Sequence, residues 1–347
     1  MGSLGPPQAP PVIDFAPFYG DDSASKKTLA KQVREACLEK GFFQIVNHGV
    51  SQDLQDAIFE QSKTLFSLPL EEKMKYSQQE SPSKVGYEMM RAQNFEKTTA
   101  GDLKEGFFVG RELPADHPYL KSVKLHCGFN KYPDTLPDQQ KFKEVVDTYH
   151  DTMTGLAIDI LKVIALGLGL DDDYFQGFCT EPNPVLRLLH YPPQAKTASE
   201  EERGIGAHTD FGGVTILLQD NVGGLQVFDA PTSTWIDVEP TPGALVINLG
   251  NLLMRWSNDV YMSNLHRVIN KTGKERYSIP FFFGGNPDYV IGCLPGCEDP
   301  VSGPKYTPVK VGDWIKGRHA ETFGVKGLKE KELSPLAVQA KAVVAQA

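Results

Sequence analysis

Two histidines and one aspartate are the residues of this sequence best suited to bind a metal ion. His208 and Asp210 are separated by one residue, and His266 follows much later in the chain. Because residues two apart on an extended strand point to the same side, His208 and Asp210 can both face one ion. Two imidazoles and one carboxylate match the facial triad of non-haem Fe(II) sites, in which further positions stay open for co-substrate and oxygen. The set therefore predicts an iron centre of the kind that oxygenases use.

Arg276 and Ser278 follow the second histidine on an apolar segment. The aromatic run at 281–283 indicates a buried strand, which would remove the Arg276 guanidinium from water. Since a buried unpaired charge costs several kcal/mol, Arg276 needs an anionic partner, and Glu275 is the only acid on that strand. A small dicarboxylate ligand would fit the planar fork of donors, with the Ser278 hydroxyl as a second donor. An internal salt bridge to a structural acid is the alternative.

The composition is typical of a soluble globular chain and excludes several partners. The 347 residues are 40% hydrophobic and 23% charged, with a formal net charge of −9. No run rich in Lys or Arg stands out, so neither nucleic acid nor an anionic membrane is an expected partner. No apolar run approaches the ~20 residues of a membrane helix, and the N-terminal stretch does not match a signal peptide. A small-molecule substrate is the expected partner, and the oligomeric state stays open.

The five cysteines indicate a reducing compartment. Their number is odd and no Cys-x-x-Cys pair occurs, so neither a disulfide framework nor a zinc ribbon is predicted. Cys293 and Cys297 have a loose metal-like spacing, but Pro295 and Gly296 between them favour a plain turn. Reduced thiols are typical of the cytoplasm, which also suits a ferrous centre.

Helices and short strands alternate in the first part of the chain. Hydrophobic periodicity predicts strands at 12–15, 42–46 and 104–109, and helices at 26–40, 51–67 and 138–169. The last of these is expected to back a sheet. Residues 77–140 contain few apolar runs, and long loops in compact domains are often functional. We expect this region to shape a substrate entrance, with an ordinary surface excursion as the alternative.

Short strands at regular intervals dominate from residue 184 onward. They are predicted at 185–191, 205–208, 213–219, 224–228, 235–238, 243–248, 265–269, 276–283 and 288–293. Such spacing indicates a jelly roll. We predict an α+β, mainly β fold, in which a double-stranded β-helix core is flanked by helices and an N-terminal α/β region packs on it. The predicted parts are the N-terminal region 1–140, the core with its backing helix at 141–325, and a C-terminal helical tail at 326–347.

A series of short motifs runs along nearly the whole chain in a fixed order. They are Pro11-Val12-Ile13-Asp14, Gly41-Phe42-Phe43, Asn47-His48-Gly49, Leu186-Arg187, Tyr191-Pro192-Pro193, His208-Thr209-Asp210, Gly223-Gly224-Leu225-Gln226-Val227, Asn248-Leu249-Gly250, His266-Arg267-Val268 and Arg276-Tyr277-Ser278. In order and spacing they resemble the isopenicillin-N-synthase-like branch of the 2-oxoglutarate/Fe(II) dioxygenases. The motifs are specific for the family and say little about any one substrate.

The resemblance implies a role for each residue of the site. The two histidines and the aspartate of the triad would bind iron, and 2-oxoglutarate would chelate that iron. The far carboxylate of 2-oxoglutarate would meet Arg276 and Ser278, and Tyr191 would add a hydroxyl contact. Many relatives have Asn two residues before this tyrosine, where this chain has Leu189, so one polar neighbour of the C1 end is missing. His190 should point to the opposite face of its strand.

The resemblance also implies a reaction. In such relatives 2-oxoglutarate and O2 are converted to succinate and CO2 while an unactivated C–H bond is oxidised, by hydroxylation, desaturation or ring rearrangement. The implied cofactors are Fe(II), 2-oxoglutarate and O2, with ascorbate as a reductant, and the substrate is expected to be a small organic molecule of secondary metabolism. Four aromatic residues are the substrate-binding candidates, with a place in the core as the alternative: Tyr87, Phe107, Phe281 and Phe283.

Two other functions stay open on the sequence. An Fe(II) oxidase of the same family would dispense with 2-oxoglutarate and use Arg276 for a substrate carboxylate, and it would form no succinate. A non-catalytic jelly-roll binding protein would bind no metal and consume no O2. The complete set of ligand residues argues against the binding protein. The oxidase would have the same ligands, so formation of succinate is what separates the two enzymes.

Overall fold

The computed structural model describes residues 8–95, 101–122, 126–194, 202–270 and 272–322. The strands are β1 Val12–Asp14, β2 Phe42–Val46, β3 Gly86–Glu88, β4 Glu105–Gly110, β5 Val185–Tyr191, β6 Ile205–His208, β7 Val214–Gln219, β8 Leu225–Asp229, β9 Thr234–Asp237, β10 Leu245–Leu249, β11 His266–Val268, β12 Arg276–Phe283, β13 Val290–Ile291 and β14 Val309–Lys310. The helices are α1 Ala16–Tyr19, α2 Ser23–Glu39, α3 Gln52–Phe66, α4 Leu70–Met74, α5 Pro118–Lys121, α6 Gln139–Gly167, α7 Gln176–Cys179, α8 Asn251–Trp256 and α9 Val311–Thr322.

Two facing sheets form the core. The larger has the strand order β1-β2-β10-β7-β12-β5-β4-β3, and the smaller has the order β6-β11-β8-β9. Apart from the parallel pair β1–β2, the pairings in both sheets are antiparallel. Apolar residues of both sheets, such as Leu189 and Val227, share one buried cluster between them. This double-sheet architecture confirms the predicted jelly-roll core.

Helix α6 backs the larger sheet, as its periodicity predicts. Asp138 caps its N-terminus by accepting a hydrogen bond from the Lys141 backbone N–H at 2.9 Å, which satisfies one of the free donors of the first turn. The apolar stripe of the helix is buried against the outer face of the sheet, where the His150 ring meets Phe281 edge-on at 5.3 Å. The predicted helix 138–169 is thus confirmed at Gln139–Gly167.

The N-terminal region does more than pack on the core, because it supplies both edges of the larger sheet. Strand β2 pairs with β10, and β4 pairs with β5. The sequence pattern did not predict α8, α9 or β14. The C-terminal tail at 326–347 lies outside the described residues, and the three-part division of the chain stays a prediction. Within the residues described, no helix has the length and apolar character needed to cross a membrane.

Candidate active site

The smaller sheet brings the two histidines together. His208 ends β6 and His266 begins β11, and the two strands pair so that these residues stand opposite each other. Asp210 follows β6 after one residue. Its Oδ1 lies 3.8 Å from Nε2 of His208 and 3.8 Å from Nε2 of His266, and one ligand atom of each residue lies within 4.8 Å of the other two. The predicted triad therefore converges on one point.

Backbone carbonyls fix the orientation of both imidazoles. Nδ1 of His208 lies 2.9 Å from the Gly206 carbonyl oxygen, and Nδ1 of His266 lies 3.2 Å from that of Asn264. Since a carbonyl only accepts, each Nδ1 carries the proton and each Nε2 keeps its lone pair for the shared point. Burial, with His266 alongside, lowers the pKa of His208 to about 3. The ring is thus neutral, as a metal ligand must be.

Two hydrogen bonds to Oδ2 fix the orientation of the Asp210 carboxylate. Oδ2 accepts hydrogen bonds from Thr215 Oγ1 at 2.6 Å and from Asn248 Nδ2 at 2.7 Å, which leaves Oδ1 directed at the histidines. Burial alone would raise the pKa of Asp210, but its surroundings favour the charged carboxylate, among them these two hydrogen bonds, and the pKa is lowered. Orientation of a ligating carboxylate by outer hydrogen bonds is typical of metal sites.

Aromatic rings enclose the triad. Phe95 stacks on His208 with 4.4 Å between ring centres and 13° between planes, and Phe42 meets His266 edge-on at 5.2 Å. These contacts lock the imidazole rotamers and keep the surroundings apolar. A dry shell of this kind strengthens electrostatic interactions inside the site.

Arg276 is the second feature of the site, and it is fully buried, with 0% of its surface exposed. Its Nε donates to the Gly223 carbonyl at 2.7 Å and its Nη2 to Gln219 Oε1 at 3.2 Å. Nη1 has no hydrogen-bond partner, and within the described ranges no acid forms an ion pair with this guanidinium. The internal salt bridge considered on the sequence is therefore not formed there, and Nη1 is a buried donor whose hydrogen-bonding capacity is unused.

Ser278 and Tyr191 stand beside this guanidinium. Arg276 is opposite Tyr191 across the β12–β5 pair, and its guanidinium carbon lies 4.8 Å from the centre of the tyrosine ring. The Ser278 hydroxyl donates to the Tyr191 hydroxyl at 3.3 Å. Burial raises the pKa of Tyr191, so its hydroxyl keeps its proton as a donor. The three residues that the resemblance assigns to the far carboxylate are thus together.

One cavity of about 560 Å³ connects the triad with Arg276. Its volume falls in the range of small-molecule sites. The larger sheet contributes alternate residues of β5 and β12, and the smaller sheet contributes the two histidines. Six residues of the region expected to shape the substrate entrance line the wall: Pro82, Gln93, Phe95, Phe108, Ser122 and His126.

The four aromatic residues proposed for substrate binding do not line the cavity, and the alternative, a place in the core, is what the structure shows. Side chains alternate between the two faces of a strand, and these four face the main core, where at most 2% of each is exposed: Tyr87, Phe107, Phe281 and Phe283. Their neighbours Phe108 and Phe282 line the cavity instead.

Other residues lie as the sequence indicates. His190 faces away from the cavity, where its Nδ1 lies 2.8 Å from Glu105 Oε1. Leu189, at the position where relatives carry Asn, lines the cavity among apolar residues. No polar side chain of β5 replaces it, since the cavity-facing neighbours on that strand are Arg187 and Tyr191.

The sequence reasoning missed several residues that complete the site. Thr215 and Gln219 both lie on β7. Thr215 donates a hydrogen bond to Asp210, and Gln219 accepts one from Arg276. Gln93 and Arg187 line the far end of the cavity. Arg187 had a usable signal, because a charged residue between apolar neighbours of a strand is the same pattern that singled out Arg276. Gln93 stands in an irregular segment and had none.

Comparison with known proteins shows the class to which this fold and site belong. The sequence model of the 2OG-Fe(II) oxygenase superfamily matches residues 182–285, and that of the N-terminal region of non-haem dioxygenases in morphine synthesis matches residues 10–135. The chain is 48% identical to the 2-oxoglutarate-Fe(II) type oxidoreductase hxnY of Emericella nidulans over 98% of each protein. It is 38% identical to the 2-oxoglutarate-dependent dioxygenase citB of Monascus ruber, over 81% of this chain and 86% of the relative.

The chain is also similar to a solved structure. A full-length Neurospora crassa protein, crystallised in complex with alpha-KG and thymine, superposes with a TM-score of 0.81 at 30% identity, covering 92% of this chain and 99% of that one. The chain belongs to the 2-oxoglutarate/Fe(II) oxygenase superfamily. Within it, the protein is an oxidoreductase of the dioxygenase type that uses Fe(II), 2-oxoglutarate and O2.

Proposed function

We propose that this enzyme oxidises an unactivated C–H bond of a small organic molecule in secondary metabolism, coupled to conversion of 2-oxoglutarate to succinate and CO2. In this proposal His208, Asp210 and His266 bind the iron. The observation that carries it is that each of the three offers one ligand atom to a common point, while its other polar atom is hydrogen-bonded elsewhere. The iron and 2-oxoglutarate together supply the activation of O2.

The orphaned donor of Arg276 supports the assignment of 2-oxoglutarate. Its Nη1 would take the far carboxylate, since a guanidinium binds a carboxylate through two parallel hydrogen bonds. Ser278 and Tyr191 would add hydroxyl donors to the same group. No hydrogen bond has to be broken at Nη1 for this to happen.

The rest of the chain fixes which bond reacts. The cavity wall around His208 is made of aromatic and aliphatic side chains, among them Phe95 and Leu189. Such a wall excludes water from the reacting centre and orients an apolar substrate next to the metal. Hydroxylation, desaturation and ring rearrangement are all outcomes of oxidation at a C–H bond held in this way.

Loading of the cofactors into variants tests the proposal. Under anaerobic conditions, Asp210→Ala should lose Fe(II) binding because it removes a ligand. Arg276→Ala should keep Fe(II) but lose 2-oxoglutarate affinity by about 30-fold or more, since a buried charged contact is worth on the order of 2–5 kcal/mol. Titration calorimetry measures both affinities. Arg267→Ala is the control, because Arg267 lies on β11 and its guanidinium packs on Trp235.

Succinate formation separates the remaining functions. The wild-type enzyme, given Fe(II), 2-oxoglutarate and O2, should release succinate, and the Asp210→Ala variant should release none. Consumption of O2 without succinate would instead identify the oxidase, and unchanged 2-oxoglutarate affinity in Arg276→Ala would refute the assignment of the far carboxylate.

A further inference from the structure

Two buried arginines line the cavity, and they differ in whether a carboxylate of the protein pairs with them. Arg276 has no ion-pair partner among the described residues, as shown above. Arg187, 5% exposed, donates from Nη2 to Glu88. Glu88 also accepts from Lys104 Nζ at 2.9 Å. Arg276 can therefore bind an anionic ligand, whereas Arg187 already forms an ion pair with Glu88.

The buried cations in the wall around Arg187 face carboxyl groups of the protein. Burial would raise the pKa of Glu88, but the charges of Arg187 and Lys104 outweigh it and hold the pKa at about 2. Lys104 also lies near Asp102, whose carboxylate accepts from the Gly206 backbone N–H at 2.9 Å. Burial raises the pKa of Asp102 to about 6, and Lys104 and the Gly206 N–H act against this rise. Both buried cations at this end therefore already face carboxyl groups of the protein.

Gln93 completes this end of the cavity. Its side chain lies 3.3 Å from Nη1 and 3.2 Å from Nη2 of Arg187. Because a guanidinium only donates, the atom facing it is Oε1, and the amide nitrogen is the free end of the side chain. That nitrogen has no acceptor among the described residues. Gln93 therefore presents a hydrogen-bond donor at this end of the cavity.

Two flat rings lie beside these donors. The Phe108 ring lies over the Arg187 guanidinium, 4.4 Å from its carbon to the ring centre, and the His126 ring stacks on Phe108 at 5.4 Å and 15°. Along β5 the cavity-facing residues run from Arg187 to Tyr191, four residues or ~13 Å apart. The polar pair therefore lies well away from the 2-oxoglutarate end, beside space for a compact, largely apolar body.

We propose that Gln93 and Arg187 recognise the substrate through an uncharged hydrogen-bond acceptor, a carbonyl oxygen or a ring nitrogen, on a compact ring compound. This inference rests on the proposed function, because it names the substrate class of that reaction. A free carboxylate is disfavoured here, since it would add a negative charge to a buried wall whose cations already have carboxyl partners in the protein.

A matched pair of probes tests the class of ligand. Benzamide and benzoate have the same ring and nearly the same shape, but only benzoate is charged. Each is titrated into the enzyme loaded with Fe(II) and 2-oxoglutarate without O2, and binding is followed by ligand-observed NMR. Benzamide should bind at least tenfold more tightly. Equal binding, tighter binding of benzoate, or no binding of benzamide overturns the proposal.

Two variants locate the contact. Gln93→Leu should weaken benzamide binding about tenfold, the effect of one lost hydrogen bond with its partner left unpaired, without changing the 2-oxoglutarate affinity. Gln93→Glu keeps the oxygen that faces Arg187 but has no N–H to donate, and should show the same loss if Gln93→Leu folds poorly. Retained benzamide affinity in a folded Gln93 variant contradicts the proposal.

The chain offers a control for the amide. Gln78 also donates to the buried Glu88, at 3.3 Å, but it is not among the residues that line the cavity. Gln78→Leu should therefore bind benzamide like the wild type. Failure of the proposed function is distinguishable, because an enzyme that binds neither iron nor 2-oxoglutarate can still be titrated with both probes.

Discussion

Asp210 keeps one oxygen for a metal because the other is occupied by two donors. The Thr215 hydroxyl contact at 2.6 Å is made from β7, outside the ligand set. Thr215→Val keeps the shape of the side chain and removes this donor. We expect Fe(II) affinity to fall about 10-fold to 100-fold, the usual effect of losing an outer hydrogen bond to a ligand, as measured by anaerobic Fe(II) titration.

A second threonine gives the control for this prediction. Thr232 donates to Asp229 Oδ2 at the same distance, 2.6 Å, but on the β8–β9 turn, outside the cavity lining. Thr232→Val should leave Fe(II) affinity unchanged. Equal Fe(II) affinity in wild type and Thr215→Val would show that Asn248 alone orients the carboxylate.

The contrast between Asp210 and Thr215 explains what the sequence can predict about single residues. The ligand types and their order along the chain are local information, and they sufficed to predict the triad and Arg276. The atoms that orient these residues come from other parts of the chain, such as the Gly223 carbonyl, which lies between β7 and β8 and accepts from Arg276. Their role depends on strand pairing, which no single segment encodes.

At the scale of elements, the strand positions were predicted well, but the sequence left open which face the aromatic residues of β3, β4 and β12 occupy. The predicted strand 276–283 is observed with the same bounds. Once Arg276 and Ser278 face the cavity, alternation requires Phe282 to do so and turns Phe281 to the core, as observed. Strand alternation in the sequence was therefore enough to place Phe281 in the core. The position of α9 over the cavity could not be predicted in this way, because it depends on contacts with distant residues.

Helix α9 is attached to the loop that follows β6. Trp314 Nε1 donates to the Phe211 carbonyl at 3.0 Å, and other residues of the helix, such as Ile315, line the cavity. Trp314→Phe removes the donor and keeps an aromatic ring. We expect amide hydrogen exchange in α9 and in residues 209–213 to quicken about fivefold, since one hydrogen bond contributes about 1 kcal/mol.

Exchange measured by mass spectrometry checks this attachment. Trp235→Phe is the control, because Trp235 lies on β9 and does not line the cavity. Exchange in α9 should then match the wild type. If Trp314→Phe also left it unchanged, the indole hydrogen bond would not hold the helix on the site.

At the scale of the whole molecule, the larger sheet joins parts of the chain that are far apart in sequence. Phe43 of β2 pairs with Ile247 of β10, and Phe107 of β4 pairs with Leu188 of β5. All four side chains are buried in the main core. The first 110 residues therefore supply core strands at both edges, and the core cannot be complete without them.

Because the earlier and later parts of the chain share this sheet, we expect them to unfold together as one unit. A fragment of residues 139–322 would expose the edges of β10 and β5 and core side chains that the earlier strands cover, so it should show no cooperative denaturation. In the full chain, fluorescence of Trp235, Trp256 and Trp314 reports the later part, and hydrogen exchange of β2 and β4 reports the earlier part. Both should give one urea midpoint, as a two-state transition requires. Separate midpoints, or a fragment with its own sigmoidal transition, would instead show that residues 139–322 form an independent domain.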